Sequence, residues 1–200
     1  MDYVTADLHF GHAALLKFPE RQRFKTIKEH DEFIIRSLNS KLSPDDTLYV
    51  LGDVGFRDAD GSLCGLAAKI KRIECKRKIL VMGNHDHFSA IEAKTVLGFD
   101  EVHSGPIYYE HPAVVGRIIL SHEPVREAFD NPYVINVHGH IHNYKLDLEG
   151  FHNANIGMTG FTPLSMDRFV ALAKKCKSRS ERFGKEWFYG AYVFPEGGSE

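Results

Sequence analysis

Residues 79–86 read Ile-Leu-Val-Met-Gly-Asn-His-Asp, so that an apolar run ends at a glycine and three polar side chains follow directly. A short apolar run bounded by turn residues is typical of a buried β-strand. The same order recurs at residues 48–53, where Leu-Tyr-Val-Leu precedes Gly52 and Asp53. In an open α/β sheet, ligands bind at the carboxyl ends of the strands. The two stretches therefore predict strands whose ends contribute to one cleft.

Three further stretches, at residues 3–9, 118–122 and 134–142, also place ligand-type side chains after an apolar run. The ligand-type side chains of all five motifs are Asp7, His9, Asp53, Asn84, His122, His140 and His142. In the Asp-x-His and His-x-His pairs, an extended backbone projects both side chains to the same side. The pattern predicts that distant parts of the chain meet in one site.

Strand-like runs alternate with helical patterns along the chain, which indicates a layered α/β domain. Thr26 and Glu29 fit a capping box at the start of one helix, and Pro44 stops that helix. Residues 63–73 have apolar side chains at helical spacing, and residues 153–156 are predicted to form a late strand.

The chain has 200 residues, which is enough for one domain with its own core. We expect this domain to cover residues 1–176. The tail at residues 177–200 is aromatic between Trp187 and Phe194, which predicts an edge strand, followed by a disordered polar end. Stacking of the aromatic tail on a base or a partner is the alternative.

Composition disfavours several classes of protein. The net charge of -2 gives no bulk attraction to polyanions, which argues against binding of duplex nucleic acid through its backbone, although nucleotides and short oligonucleotides stay open. The three cysteines are far apart and odd in number, so neither a disulfide framework nor a thiolate metal site is predicted. The sequence has no signal-peptide pattern and no apolar run near the roughly 18 residues of a membrane span. We expect a cytoplasmic protein.

The predicted donor set consists of carboxylate, imidazole and amide groups without thiolate. Such a set suits Mn, Fe, Zn or Ni better than Mg or Ca, and we favour Mn. The set is too large for one catalytic ion that keeps an open position, whereas two ions that share a carboxylate would use all of it. We therefore predict two divalent transition-metal ions.

In this order, the strings D-x-H, G-D, G-N-H-D, a single His and G-H-x-H resemble the calcineurin-like metallophosphoesterases, over roughly residues 2–170. The resemblance implies a four-layer α/β/β/α sandwich of two packed mixed β-sheets flanked by helices. It also implies that Asp53 bridges two ions. One ion would bind Asp7, His9, Asp53 and His142, and the other would bind Asp53, Asn84, His122 and His140.

Hydrolysis of a phosphate ester needs a nucleophile, charge neutralisation and a proton for the leaving group. Two ions about 3.5–4 Å apart supply the first two, because the water that bridges them becomes hydroxide near neutral pH. Like the corresponding histidine of the family, His85 is predicted to protonate or stabilise the leaving group. Asp86 either orients an imidazole, as a catalytic residue, or only stabilises the turn.

Two further residues are candidates for substrate binding. Arg57 follows Asp53 by four residues, the same offset as the arginine in the G-D-x-x-D-R string of protein phosphatases, but the second aspartate of that string is absent here. Arg57 is therefore either a phosphate clamp or a solvated loop arginine. His12 either reaches the substrate or a nearby carboxylate, or is an exposed loop histidine.

The resemblance is to small prokaryotic and phage members, several of which cleave diesters, and we therefore expect a phosphodiesterase acting on a phosphate-ester substrate. A phosphomonoesterase acting on nucleotides, small phosphates or phosphoproteins is the alternative, because the same metal core serves both reactions. A non-catalytic interaction module, as in the retromer subunit that keeps this fold with an impaired site, is disfavoured by the complete ligand set.

Overall fold

A computed structural model describes residues 1–131, 133–144, 146 and 148–175 of the chain. The predicted tail at residues 177–200, with its edge strand and its aromatic segment, lies outside the described residues. The strands in chain order are β1 (Asp2–Thr5), β2 (Thr47–Leu51), β3 (Arg77–Val81), β4 (Glu101–His103), β5 (Ile107–Tyr108), β6 (Ile118–Leu120), β7 (Ile135–His138), β8 (Phe151–Asn153) and β9 (Leu164–Ser165).

The strands form two mixed sheets. The first has the order β4-β3-β2-β1-β9, in which β1 to β4 are parallel and β9 is antiparallel to β1. The second has the order β5-β6-β7-β8, in which β6 to β8 are parallel and β5 is antiparallel to β6. Because the central strands of each sheet are parallel, their carboxyl ends lie at one edge of that sheet.

The helices in chain order are α1 (Ile27–Asn39), α2 (Cys64–Lys71), α3 (Ala90–Thr95), α4 (Glu127–Asp130) and α5 (Met166–Lys175), and two short 3₁₀ helices cover Ala13–Lys17 and Pro19–Arg21. The Thr26 hydroxyl accepts the Glu29 amide, as predicted, but the Glu29 carboxylate binds the amide of Lys25 instead of that of Thr26. The capping box is therefore half formed. Among the described residues, no helix combines the length and apolarity that crossing a membrane requires.

Strand residues alternate between two cores, which defines the layers. In β6, Ile118 and Leu120 pack in the core between the two sheets, together with residues of α5, whereas Ile119 packs on the opposite face with Ala128 of α4. In β2, Leu48 packs against the helices α1 to α3, and its neighbours on the other face point toward the second sheet. The fold is thus the predicted sandwich of two sheets between helical layers.

The late strand lies earlier than predicted. Residues 151–153 pair with β7, whereas Ala154 and Ile156 turn to the first sheet, where the Ala6 amide donates to Ala154 O at 2.9 Å and the Ile156 amide donates to Ala6 O at 2.9 Å. The predicted strand at residues 153–156 is therefore wrong in its bounds. Phe151 begins the true strand because its ring fills the outer core beside Phe129.

Candidate metal centre

The five motifs meet where the two sheets present the carboxyl ends of their parallel strands. Asp7, Asp53 and Asn84 follow β1, β2 and β3 of the first sheet, while His122 and His140 follow β6 and β7 of the second. The two sheets pack face to face, so their strand ends face one cleft. The predicted convergence of distant motifs follows directly from this geometry.

One cluster of donors contains Asp7, His9 and His142. A carboxylate oxygen of Asp7 and a ring nitrogen of each histidine all lie within 4.8 Å of one another. Asp7 and His9 are almost fully buried, at 0% and 1% exposure. Such a set of buried carboxylate and imidazole donors fits a divalent transition metal.

A second cluster contains Asn84, His122 and His140. Asn84 Oδ1 lies 2.8 Å from His122 Nε2 and 3.0 Å from His140 Nδ1, and the two histidine nitrogens are 3.3 Å apart. Three ligand-type atoms from three loops therefore converge on one point.

The carboxylate of Asp53 lies between the two clusters. Its Oδ2 is 3.5 Å from His9 Nε2, and its Oδ1 is 3.5 Å from His122 Nε2. Oxygen donors of Asp7 and Asp53 also lie within 4.8 Å of a nitrogen of His122. One oxygen thus faces each cluster, which allows the two clusters to share this carboxylate. The assignment of each ligand to one of two ions stays a prediction.

The donor atoms of the second cluster fit a cation. His122 Nδ1 lies 2.9 Å from Leu51 O, and because a carbonyl can only accept, Nδ1 carries the proton of the neutral ring. Burial lowers the pKa of His122, which favours the neutral ring. His122 Nε2 therefore directs a lone pair at Asn84 Oδ1, which is itself an acceptor. A metal ion between them would turn this repulsion into coordination, and the Leu51 carbonyl fixes the ring for it.

The donor atoms of the first cluster also fit a cation, because several of them are buried polar atoms without hydrogen-bond partners in the part of the chain that the structure describes. Both ring nitrogens of His9, Asp53 Oδ2 and His142 Nδ1 are buried and have no hydrogen-bond partner among the described residues. Buried polar atoms in proteins are nearly always paired, because an unpaired one costs roughly 1–3 kcal/mol. A neutral imidazole has one lone pair, so a bound cation would satisfy one ring nitrogen of each histidine together with Asp53 Oδ2, and the residues present fit a metal.

Backbone strain coincides with the predicted ligands. Among the described residues, those with positive φ that are not glycine are Asp7 (55°), His9 (48°), Asp53 (53°), His140 (67°), His142 (46°) and Phe161 (62°). All of them except Phe161 are predicted ligands, so the backbone of the Asp-x-His and His-x-His pairs is left-handed and not extended as predicted. A left-handed conformation costs roughly 1–3 kcal/mol outside glycine and persists where the surroundings enforce it, often at functional sites.

Two glycines of the motifs are needed because carboxylates approach their backbone. A Cβ on Gly83 would lie 2.4 Å from Asp53 Oδ1, and one on Gly139 would lie 2.5 Å from Asp7 Oδ2. Both distances are far inside van der Waals contact. The glycines of the G-N-H-D and G-H-x-H strings therefore make room for the two carboxylates.

His85 lies beside the centre without being part of either cluster. Its backbone amide donates to Asp53 Oδ1 at 2.9 Å, and its half-buried ring lies 5.9 Å from the ring of His9 and 6.2 Å from that of Phe56, between centroids. The hydrogen bond attaches the main chain of His85 to the carboxylate between the clusters. The role of this ring in catalysis stays a prediction.

Asp86 binds backbone amides. Its Oδ2 accepts the amides of Asp53 and Gly83 at 3.0 and 2.8 Å, and its Oδ1 accepts the amide of Val54 at 2.8 Å. Burial raises the pKa of Asp86 to about 7, against the lowering effect of these hydrogen bonds. These contacts favour the alternative in which the Asp86 carboxylate stabilises the turn that carries Asp53, and the catalytic role of Asp86 stays a prediction.

Arg57 forms its hydrogen bonds away from the predicted metal ligands. Its guanidinium donates to His87 O at 3.0 Å, to Gly61 O at 3.1 Å and to Glu92 Oε1 at 2.7 Å. These bonds cross-link the loop after β2 to the start of α3. Each guanidinium nitrogen thus already donates one hydrogen bond to the protein, which favours a loop arginine over a phosphate clamp, and the clamp stays a prediction.

His12 lies at the edge of the first cluster. Its half-buried ring packs 4.3 Å from the ring of Phe56 and 5.5 Å from that of His9, between centroids. Burial lowers its pKa. Of the two alternatives for His12, this position favours the one near the substrate, and that role stays a prediction.

Sequence reasoning missed the aromatic side chains that flank the first cluster. The rings of Phe18, His142, His9 and Phe56 follow one another with interplanar angles of 18°, 25° and 23°. The two phenyl rings thus flank the stacked imidazoles of His142 and His9, both predicted ligands, and hold their planes from both ends. No motif signals this role, because single phenylalanines in loops are common.

As a predicted metal ligand, Asp7 would have to lose a proton before it binds an ion. Burial, and then the charge of Asp53, raise the pKa of Asp7 to about 8, while burial lowers the pKa of His9, His122 and His142 and keeps them neutral. Since the protonated carboxyl does not coordinate, we expect metal affinity to fall about tenfold per pH unit below pH 8.

Calorimetry in buffers of different ionisation enthalpy measures this proton directly. At pH 7, metal binding is expected to release about one proton, so the observed heat depends on the buffer. At pH 9 the release should vanish, which provides the control within the same protein. A buffer-independent heat at pH 7 would contradict the raised pKa of Asp7.

Two packed mixed sheets with carboxylate and imidazole donors at their strand ends define a metal-binding α/β protein. The family model of the calcineurin-like phosphoesterases matches residues 3–179, so the chain belongs to this family, and the predicted resemblance is confirmed. The family makes the chain a metal-dependent phosphoesterase whose substrates are phosphate esters.

Individual relatives agree with this assignment. The crystal structure of a protein of unknown function from Aquifex aeolicus is similar with a TM-score of 0.65 and 30% identity, covering 86% of this chain and 98% of that one. An uncharacterized protein of Methanocaldococcus jannaschii is 25% identical over 88% of this chain and 92% of its own length. The gene 66 protein of Mycobacterium phage L5 is 33% identical over 42% of this chain and 39% of its own length.

Proposed function

We propose that this chain hydrolyses phosphodiesters with two divalent transition-metal ions, preferably Mn²⁺, bound around Asp53. The observation that carries the proposal is the position of this carboxylate, with one oxygen 3.5 Å from His9 Nε2 and the other 3.5 Å from His122 Nε2. When bound, two such ions supply the activated water and neutralise the charge that develops on the phosphate.

The position of each side chain indicates its role in hydrolysis. The donors of the two clusters hold the ions, and the amide bonds of Asp86 keep the Asp53 turn in place. The ring of His85 donates a proton to the leaving oxygen, because its backbone is bonded to Asp53 and its ring lies within 6 Å of a ligand ring. Protonation of the leaving group is the step that the ions do not supply.

The charges around the cleft favour a diester over a monoester. A monoester brings two negative charges at neutral pH, and proteins usually meet the second with an arginine or lysine that binds the phosphate. Here Arg57 is bonded to His87, Gly61 and Glu92, and Arg21 is fully buried. A diester carries one negative charge, which two ions and neutral imidazoles accommodate.

The rings near the centre favour a substrate with a planar group. Phe56 is half-buried beside His12 and His85, with ring centroids 4.3 and 6.2 Å away. Partly exposed aromatic rings beside a phosphate site suit the stacking of a base. A nucleotide or a short oligonucleotide is therefore the proposed substrate class.

A comparison of a synthetic aryl diester with the corresponding monoester tests the proposal. With Mn²⁺ present, we expect kcat/KM to be at least about tenfold higher for the diester, which corresponds to about 1.4 kcal/mol of transition-state stabilisation. A higher value for the monoester would identify a phosphomonoesterase. Purified protein that binds no transition metal would instead point to a non-catalytic interaction module.

A further inference from the structure

A buried polar network outside the ligand set packs against the loop that carries two of the ligands. Arg21, His30 and Asp31 are 0%, 0% and 3% exposed. They come from the short 3₁₀ helix at Pro19–Arg21 and from α1, and they lie against residues 7–11. None of them belongs to the five motifs.

The hydrogen bonds of the network have fixed directions. Arg21 Nη2 donates to Asp7 O at 2.8 Å, and Arg21 Nη1 lies 2.5 Å from His30 Nε2. Because a guanidinium can only donate, His30 Nε2 accepts, and the proton of the neutral ring is on Nδ1, which donates to Asp31 Oδ1 at 2.9 Å. Asp31 Oδ2 accepts the amide of Gly11 at 3.0 Å and lies 3.1 Å from Lys69 Nζ.

The network therefore holds the loop at both ends, through the carbonyl of Asp7 and the amide of Gly11. Between these points, Asp7 and His9 have φ of 55° and 48°, and each such conformation costs roughly 1–3 kcal/mol. A strained loop relaxes unless its surroundings hold it. The same strain directs both ligands toward the first cluster.

Stability alone does not account for Arg21. Removing a guanidinium from water is costly, and replacement of a buried charge and its partners by apolar side chains is often neutral or stabilising. The two hydrogen bonds of Arg21 go to a carbonyl and to an imidazole, and aromatic rings such as Phe161, 6.0 Å away, lie nearby. If only packing mattered, apolar side chains in place of the whole network would serve, whereas an apolar side chain in place of Arg21 alone would remove the donor of the Asp7 carbonyl and of His30 Nε2, at roughly 1–3 kcal/mol each.

We propose that Arg21 is a positioning residue that, with His30 and Asp31, holds the Asp7–Gly11 loop in the conformation that binds metal. The inference rests on the proposed function, because it assumes that Asp7 and His9 are ligands. Arg21 acts through the backbone of Asp7 and does not touch the ion or the substrate.

Titration of the metal-depleted protein with Mn²⁺ tests this role without any substrate. Arg21→Met keeps the length of the side chain but removes both hydrogen bonds, and we expect it to weaken Mn²⁺ binding about 10- to 100-fold, as for other groups that orient metal ligands. Arg21→Lys keeps one donor for the Asp7 carbonyl and should recover part of this loss. Lys69→Met removes only the ion pair of Lys69 with Asp31. The Mn²⁺ affinity of this variant should stay within about threefold of that of the wild type.

Unfolding of the metal-free variants, followed by circular dichroism, separates positioning from folding. We expect Arg21→Met to be folded at the temperature of the titration and still to bind Mn²⁺ weakly. A folded Arg21→Met variant with wild-type affinity would overturn the proposal. If this variant does not fold, Arg21→Lys decides, because the loss of one hydrogen bond should still weaken binding about tenfold.

The wild-type titration distinguishes the two proposals. If the wild-type chain binds no Mn²⁺, the proposed function fails. If it binds two ions and the folded arginine variants bind them equally well, only the positioning role of Arg21 fails.

Discussion

Asp53→Asn is expected to lower kcat/KM for a diester at least about 10³-fold and to reduce the number of ions bound per chain. The carboxylate faces both clusters, with Oδ2 3.5 Å from His9 Nε2 and Oδ1 3.5 Å from His122 Nε2. An amide has one oxygen and no charge, so it cannot serve both sides. Loss of about 4 kcal/mol of transition-state stabilisation corresponds to this factor.

Metal analysis of the purified variant and steady-state kinetics at saturating Mn²⁺ measure the two effects. Asp100→Asn is the matched control, because Asp100 Oδ2 accepts the amide of Lys78 at the opposite end of β3 and does not contact the centre. The control should keep full metal content and activity. Near wild-type turnover by Asp53→Asn would falsify the shared-carboxylate assignment.

The convergence of the motifs could be predicted from sequence because it depends on sheet geometry. Parallel strands such as β2 and β3 end at one edge, so residues that directly follow them, such as Asp53 and Asn84, must lie close together. The continuous apolar run of β6, Ile118 to Leu120, fits a strand that is covered on both faces. Both patterns are local in sequence.

Hydrogen-bond partners could not be predicted in the same way. Asp86 follows His85 in the chain, but its carboxylate binds the amides of Asp53 and Val54, more than 30 positions earlier. Arg57 has the offset of a phosphate-binding arginine, yet Glu92 lies close enough to bind it. In both cases the hydrogen-bond partner lies on a segment that is distant in sequence. The path of that segment depends on the tertiary fold.

The burial of Arg21 could not be predicted from the sequence either. It lies in the stretch Pro-Glu-Arg-Gln-Arg-Phe, a polar segment that resembles an exposed loop. The structure instead buries Arg21 completely and leaves Arg23, two residues later, exposed above the rings of Phe24 and Phe33. Two arginines of identical chemistry thus have opposite surroundings. Arg21 is buried because it bonds to the carbonyl of Asp7 and to His30 of α1.

His85→Ala is expected to retain both ions and lose turnover. The side chain is outside both donor clusters, and the bond to Asp53 Oδ1 is made by the backbone amide, which alanine keeps. Metal content and Mn²⁺ affinity should therefore stay close to wild type. A general acid typically contributes about 10²- to 10⁴-fold to the rate, so kcat should fall within this range.

The leaving group separates proton donation from other roles of His85. A nitrophenolate leaves without a proton, whereas the alkoxide of a nucleoside needs one, so the loss in kcat should be small for a nitrophenyl diester and large for a dinucleotide. His87→Ala is the matched control, because the ring of His87 is exposed and lies 6.2 Å from that of His85, between centroids. An equal loss with both substrates would mean that His85 stabilises the phosphoryl oxygens instead of the leaving group.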